Sequence, residues 1–538
     1  MRCCDGEGVE AGRSPVDENT QAIIQAEAAL KIGSRDPRDS NLVAWARLQN
    51  EHPLGALDVL EAFLAHTPNE PHTLCNCATV LRILGRLREA ILRCDAALQL
   101  DPHFVPAWRE RGFILRASGE SADAVACFVR VLETDPQDVD SNAALANLAL
   151  REGDIERARD HCDRAARLTP DHPEVIMATA RLALETGDVQ QALQTLKTQL
   201  VKLDLPSENR IALATLAGEA LARNAQPDEA IISYIQANDD FRALHAQGAK
   251  GSATHRSVVE QTFSQVSATS PQQWRVPPAG RQVSLSVPHV FLLGYPRSGN
   301  TLVENILASL PRTHALEERP TLAFAEQRWL ASADGIAQLL SADGDTLDEA
   351  RAVYWDKAQS CGWKPGQALI DMDPLKTLSL PLISRLFPAA RIIFVRRDPR
   401  DVVWSVFRTS FVRTSASLEF TSLESAALHF SAMMDLAHAC FERCALNFLV
   451  LKYDQLVRAF EAETRLMCAF IGLPWDVAVH KFSQTARRRG VTTASATQVR
   501  KGLYDGTGQW EQFSSYMAPV LPILAPWIER FGYPAQTT

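Results

Sequence analysis

Four prolines stand 34 residues apart, at Pro68, Pro102, Pro136 and Pro170. Four glycines keep the same step, Gly85, Gly119, Gly153 and Gly187, and so do four alanines, Ala90, Ala124, Ala158 and Ala192. Three position classes in phase over four units leave little freedom in what this stretch can become. Each unit reads as a helix, a glycine turn, a second helix, and a proline that stops it and opens the next unit. Glycine supplies the tight turn, and small alanine suits a place where two helices approach closely. Apolar residues recur at helical spacing inside a unit, as in Ala90, Ile91, Cys94, Ala97 and Leu98. The stretch 43–65 reads as a worn first unit, and another follows residue 207 with its phase slipped by four.

A period of 34 with this layout resembles the tetratricopeptide repeat (TPR). The resemblance implies an all-α solenoid over residues 21–240, behind a disordered tail at 1–20. Such arrays curve, and their concave face often holds a peptide or protein partner; the alternative is a scaffold that only packs or dimerises. Residues 241–285, rich in Ser, Gly, Gln and Pro, read as a linker with one short helix near 256–266. Charge changes across this boundary. Residues 1–270 hold 27 Lys+Arg against 39 Asp+Glu, whereas 271–538 hold 28 against 25. The second half is therefore the better host for an anion, but far too mildly basic for nucleic acid. No apolar run reaches the ~18–20 residues of a membrane span. The N-terminus lacks the basic-then-apolar layout of a secretory signal, and the 11 cysteines fall at irregular spacings. The expected location is cytoplasmic.

Residues 287–301 read VPHVFLLGYPRSGNT. Val290–Leu293 is a short apolar run of the kind found in buried parallel strands. A polar turn, Gly294 to Gly299, follows it, and then an amphipathic helix. Strand, glycine-containing loop and helix start together aim backbone N–H groups at an anion. The spacing is that of the nucleotide loop GxxxxGK[ST], except that Asn300 stands where lysine would reach the β- and γ-phosphates. A kinase or NTPase is thereby disfavoured, and the positive charge has moved forward to Arg297.

PRSGNT resembles the 5′-phosphosulfate loop of sulfotransferases, which bind 3′-phosphoadenosine 5′-phosphosulfate (PAPS). Three further motifs follow in family order. In RIIFVRRDPRDVVWSVFR at 391–408, Ile392–Val395 reads as a second strand, and Arg397 and Ser405 keep the family spacing of the 3′-phosphate ligands. A forked guanidinium with a hydroxyl donor suits a phosphate dianion. Arg400 and Arg408 either add charge there or form surface salt bridges. LVLKYDQL at 449–456 places Tyr453 at the family's adenine-side tyrosine, core packing being the alternative. TASATQVRKGLYDGTGQWEQF at 493–513 resembles the C-terminal nucleotide loop, with Ser495, Arg500, Lys501 and Gly502 at its ligand positions. The resemblance covers about 286–538 and is nearest in motif detail to tyrosylprotein sulfotransferases. It implies a P-loop α/β domain with a parallel sheet, in which Arg297, Ser298, Gly299, Asn300 and Thr301 hold the 5′ end of PAPS.

Sulfuryl transfer requires a base for the acceptor proton, cations and donors for the leaving phosphate, and alignment of the two substrates. The resemblance assigns the base to Glu318, 21 residues after Arg297 and two before Pro320, with Glu317 as the fallback. His314 and His429 fall outside any matching motif. Arg297 and Ser495 complete the expected catalytic set, and no metal is implied. One departure stands out. In Asp371-Met372-Asp373-Pro374, Met372 occupies the place of a family lysine, and Lys376 is the nearest cation that could substitute. The sequence therefore carries two readings. One is an active sulfotransferase acting on a protein tyrosine, saccharide or small alcohol, with the repeats recruiting the acceptor or a partner. The other is a catalytically weakened, nucleotide-binding repeat scaffold.

Overall fold

The computed structural model describes residues 15–50, 52–203, 207–245, 253–280, 287–414, 416–489 and 493–535. Of the expected N-terminal tail, residues 1–14 lie outside the described residues, and a helix, Pro15–Lys31, begins directly after them. Helix pairs then follow the predicted period. They are Pro71–Ile83 with Leu87–Leu100, Val105–Ser118 with Ser121–Thr134, Val139–Glu152 with Ile155–Leu168, and Pro173–Thr186 with Val189–Leu200. The worn first unit is the pair Pro37–Gln49 and Pro53–His66, and the slipped last one is Glu208–Arg223 with Pro227–His245.

The repeat's three position classes have direct physical causes. Gly85, Gly119, Gly153 and Gly187 all have left-handed φ, between 75° and 87°, where a side chain is strained. Ala90, Ala124, Ala158 and Ala192 are each 0% exposed, so the helices of a pair touch through their methyl groups. A fourth small class, Ala78, Gly112, Ala146 and Ala180, keeps the same step. A Cβ on Gly112 would come 2.8 Å from the Phe128 ring.

The chain falls into two compact units, Met1–Leu148 with Asp160–Pro170, and Ala149–Arg159 with Asp171–Thr538. The second unit thus contains the last repeat helices as well as the α/β domain. One apolar core runs through it, from Ile176, Leu196 and Tyr234 of the repeats to Phe291, Trp404 and Phe513. The segment expected to be a linker is built into the same unit. Residues 246–252 and 281–286 lie outside the described residues, but His255–Ser267 and Pro271–Arg275 are helices. Val259 and Val266 are 0% exposed and Trp274 3%, and Gln261 and Gln265 both donate to the Ser332 carbonyl. The polar composition concealed an apolar stripe at helical spacing.

Five parallel strands form the sheet: β1 (His289–Leu293), β2 (Thr313–Glu317), β3 (Ala368–Met372), β4 (Arg391–Arg396) and β5 (Asn447–Lys452), in the order β2-β3-β1-β4-β5. β1 is central, pairing Leu292 with Met372 on one side and Leu293 with Phe394 on the other. Chain order reverses direction at the β1–β4 seam, and ligands of open α/β sheets bind beyond the strand ends at such a seam. No described helix is long and apolar enough to cross a membrane. The repeat reading predicts that Ala124→Leu overpacks a filled contact. It should cost about 1–3 kcal/mol, visible as a lower urea midpoint for unfolding of the repeats.

Candidate active site

The loop after β1 is shaped by its own side chains. Asn300 is 3% exposed, and its amide donates to the Tyr295 carbonyl at 3.1 Å, as does the Ser298 N–H. The Thr377 hydroxyl donates to the Gly294 carbonyl at 2.6 Å. Below the loop, the Tyr295 hydroxyl meets buried His429 at 2.7 Å, and His429 meets His255 at 2.8 Å. His429 is therefore a positioning element of the loop's base. Burial holds its imidazole, and that of His255, below the usual range and neutral.

Strain concentrates here. Four described non-glycine residues have positive φ, and two of them are Arg297 (70°) and Glu318 (45°). Sparsely populated backbone of this kind gathers at functional sites. Gly299 has φ 109°, and a Cβ there would lie 2.6 Å from the Tyr453 ring, so glycine is what lets that ring lie against the loop.

Arg297 donates through Nε to the Ser405 hydroxyl (3.0 Å) and through Nη1 to that of Ser495 (2.6 Å), with Gln498 Oε1 at 3.5 Å from Nη2. Arg397, directly after β4, donates to the Arg297 carbonyl at 3.1 Å and to the Gly506 carbonyl. Its guanidinium lies 5.0 Å from the Tyr453 ring centroid. The Tyr453 hydroxyl donates to the Tyr504 carbonyl. Arg297, Arg397, Tyr453, Ser495, Gln498 and Tyr504, with Gly502, line a shared concavity. The Thr301 hydroxyl bonds that of Thr493 at 3.0 Å.

The electrostatics are those of an anion site. Burial, then the Arg408 and Arg397 charges, push the Arg297 guanidinium down to about 9. The Nε atoms of Arg397 and Arg408 are buried with no hydrogen-bond partner. The nearest carboxylate to Arg397 is Asp401, at 3.9 Å, and Asp401 is already engaged by the N–H groups of Gly508 and Trp510. A desolvated cation cluster without a matching carboxylate is costly unless a ligand neutralises it.

Not every expected ligand faces the concavity. Arg400 closes onto Asp398 in its own helix cap and stacks over Trp510, the salt-bridge alternative. Lys501 pairs with Glu185 at 2.5 Å. Arg500 reaches the Arg151 carbonyl at 3.5 Å. Both basic residues of the 493–513 motif therefore turn onto the repeat helices, leaving Ser495 and Gly502 on the pocket side. Gln498 is a contact that the sequence reading missed. It sits one helical turn after Ser495, a spacing that could have found it.

Glu318 stands just past β2, where its N–H donates to the Met372 carbonyl at 2.8 Å and extends the β2–β3 ladder by one residue. The residue opens to solvent, yet protein crowds its carboxyl. Desolvation first, then Asp373, Glu317 and Glu304, push it up to about 8, and Lys376 opposes them. Asp373 is likewise raised, to about 6. The fallback Glu317 accepts the Thr493 N–H at 2.9 Å. Met372 is 0% exposed, in the same apolar core as Val290 and Leu302, and reaches nothing polar. His314 bonds the Cys361 carbonyl.

Comparison with known proteins gives these positions a context. Residues 288–477 match the model described as "Sulfotransferase family", and 110–173 and 149–203 match tetratricopeptide repeat models. An uncharacterized protein of Aquifex aeolicus is 24% identical over 365 residues, covering 64% of this chain and 45% of that protein. The chain thus spans less than half the length of that relative. Protein-tyrosine sulfotransferase 1 of Danio rerio is 24% identical over 259 residues, covering 46% of this chain and 72% of that protein. The human protein-tyrosine sulfotransferase 1 is 26% identical, covering 46% and 70%. The cation-lined seam between β1 and β4 thus lies within the stretch that matches the sulfotransferase family model, behind stretches that match tetratricopeptide repeats.

Proposed function

We propose that the α/β domain transfers a sulfuryl group from PAPS to a hydroxyl acceptor. The observation that carries this reading is the convergence of Arg297 and Arg397, with a buried unpaired Nε, at the sheet's switch point. A molecule with phosphate at both ends of a nucleoside offers an anion to each of two guanidinium groups, which a single phosphate does not. Arg297, Ser495 and the loop from Ser298 to Thr301 take the 5′ end; Arg397 and Ser405 take the 3′-phosphate. Tyr453 offers its ring to the base. These residues bind, orient and neutralise. Glu318 takes the acceptor proton as the acceptor oxygen forms its bond to sulfur. The bond from sulfur to the 5′-phosphate oxygen breaks with its electron pair leaving on that phosphate.

The acceptor we favour is a phenol. A tyrosine hydroxyl has a pKa of about 10, only about two units above the value of about 8 to which Glu318 is raised. An aliphatic hydroxyl, near water's ~15.7, is a far poorer match for that base. The names of the relatives support the same acceptor class. The repeats then recruit the acceptor protein or another partner. The reading as a weakened nucleotide-binding scaffold draws on Met372, which supplies no charge to the sulfuryl group. Both readings predict binding of PAP, the desulfated nucleotide; only the first predicts PAP release that depends on acceptor.

Three outcomes are expected. Calorimetric titration with PAP should give binding that Arg397→Ala weakens at least tenfold, about 1.4 kcal/mol; unchanged affinity would remove Arg397 from the site. Glu318→Gln should lower kcat by about 10²–10⁴ while leaving PAP affinity within a few-fold, measured as sulfation of a tyrosine peptide. A base must be deprotonated to act, so kcat/KM should be low at pH 6 and rise through a limb near pH 8. A flat profile from pH 6 to 9 would exclude Glu318 as the titrating base.

A further inference from the structure

The transfer chemistry leaves one buried ion pair without a role. Lys376 and Asp371 are 3% and 0% exposed. Lys376 Nζ donates to Asp371 Oδ1 at 2.5 Å and to the Arg319 carbonyl at 2.7 Å. The other oxygen of Asp371 accepts from the Thr321 hydroxyl (2.7 Å) and the Tyr354 hydroxyl (3.0 Å), and Tyr354 is backed by buried His289 at 2.7 Å. Such a pair is weak evidence of stabilisation, because apolar residues of similar volume often do as well or better. Its partners suggest another reason for its presence. Arg319 and Thr321 are the first and third residues after Glu318, while Glu318 itself is held by the Met372 carbonyl. Three bonds from β3 and the turn after it thus fasten a four-residue segment whose first member has the left-handed φ of 45°.

We infer that the Lys376–Asp371 pair is a positioning device that holds Glu318 in its strained conformation, and that Lys376 is also the cation balancing the carboxylates around it. This deepens the proposed function and rests on Glu318 as the base. The charged groups around Glu318 are Asp373, Glu317 and Glu304 on the acidic side, with Lys376 and Arg297 opposing; Glu304 is itself paired with Arg489 at 2.8 Å. Lys376 lowers the Glu318 pKa, so removing it moves the titration further up. Lys376 thereby answers the missing charge at Met372 from a different place, acting on the base and not on the sulfuryl group.

The test uses the full chain and three variants. Lys376→Met alone leaves Asp371 buried without its cation and risks misfolding, so Asp371→Asn/Lys376→Met removes both charges together, and Lys376→Arg keeps the cation. Hydrogen exchange at residues 317–321 reads the clamp without turnover; PAP affinity, kcat and the pH limb read its effect on the base. The double variant should exchange faster at 317–321, bind PAP within twofold of wild type and lose at least tenfold in kcat. In Lys376→Met, which removes the cation alone, the pH limb should move upward, and Lys376→Arg should keep both kcat and the limb near wild type. Unaltered exchange in the double variant would overturn the clamp. An unaltered kcat and pH limb, in a wild type that does turn over, would overturn the link to the base. A wild type that binds PAP and never releases it with acceptor would sink the transferase reading instead, and exchange alone would still decide the clamp.

Discussion

The cluster of arginines at the β1–β4 seam, met mainly by neutral acceptors, is what the α/β domain is organised around. Several half-buried arginines elsewhere in the chain are matched to acids, as in Arg82 with Glu110, Arg109 with Asp138 and Arg489 with Glu304. At the seam they are matched to hydroxyls and carbonyls. Ser405 and Ser495 take Arg297, and two carbonyls take Arg397. Neutral acceptors orient a guanidinium without cancelling its charge. The strained loop keeps the charge in place: Arg297 adopts a left-handed backbone, and Asn300 ties the loop's start to its end. A lysine at 300 would have to take its charge out of a 3%-exposed position. The loop therefore lacks the lysine with which a triphosphate loop reaches the β- and γ-phosphates.

A second cluster, of opposite sign, sits across the sheet's C-terminal edge. Glu318, Asp373 and Glu304 are all raised, to about 8, 6 and 7, with desolvation the first cause in each case. Groups whose surroundings push their pKa values away from the ordinary range, one set up and one down, are how a fold separates acid–base work from charge stabilisation. Were the two clusters interleaved, the acids would neutralise the arginines and both would lose their purpose. They are kept apart by strand order. The arginine loops follow β1 and β4, and Glu318 and Asp373 follow β2 and β3; Glu304, on the helix after β1, is instead paired with Arg489.

Much of this was legible in the sequence because it rests on local rules. The repeat showed through Gly and Ala positions that only backbone geometry and close packing explain. β1 and β4 showed as apolar runs, and a short helix is expected near 256–266, where His255–Ser267 stands. Arg297, Ser405, Tyr453 and Ser495, singled out by motif spacing, stand close together in the fold. What stayed hidden depends on which way a side chain points once elements from distant parts of the chain meet. Nothing local indicates that Arg500 and Lys501 face the repeats while Gln498, on the same helix, faces the pocket. Nor does spacing reveal that Lys376 reaches back to Arg319, 57 residues earlier. The expected linker failed for a related reason: composition outweighed the stripe from Val259 to Val266, whose burial depends on the helix Leu423–Arg443 against which it packs.

The helix Ala496–Lys501 shows how closely the repeats bear on this chemistry. Its beginning, Ser495 and Gln498, touches Arg297, and its end, Arg500 and Lys501, touches Arg151 and Glu185 of the repeat helices within the same compact unit. Lys501 is more than half exposed, and an ion pair of that kind contributes about 0–1 kcal/mol. The attachment is therefore too weak to explain why the last repeats belong to this unit. The apolar core that joins Leu196 and Tyr234 to Trp404 is the stronger bond, with Tyr234 and Trp404 meeting edge to face at 5.8 Å. Trp404 directly precedes Ser405 in its helix. The last repeat helix is thus packed against the same short helix that presents a hydroxyl to Arg297, and that packing backs the helix.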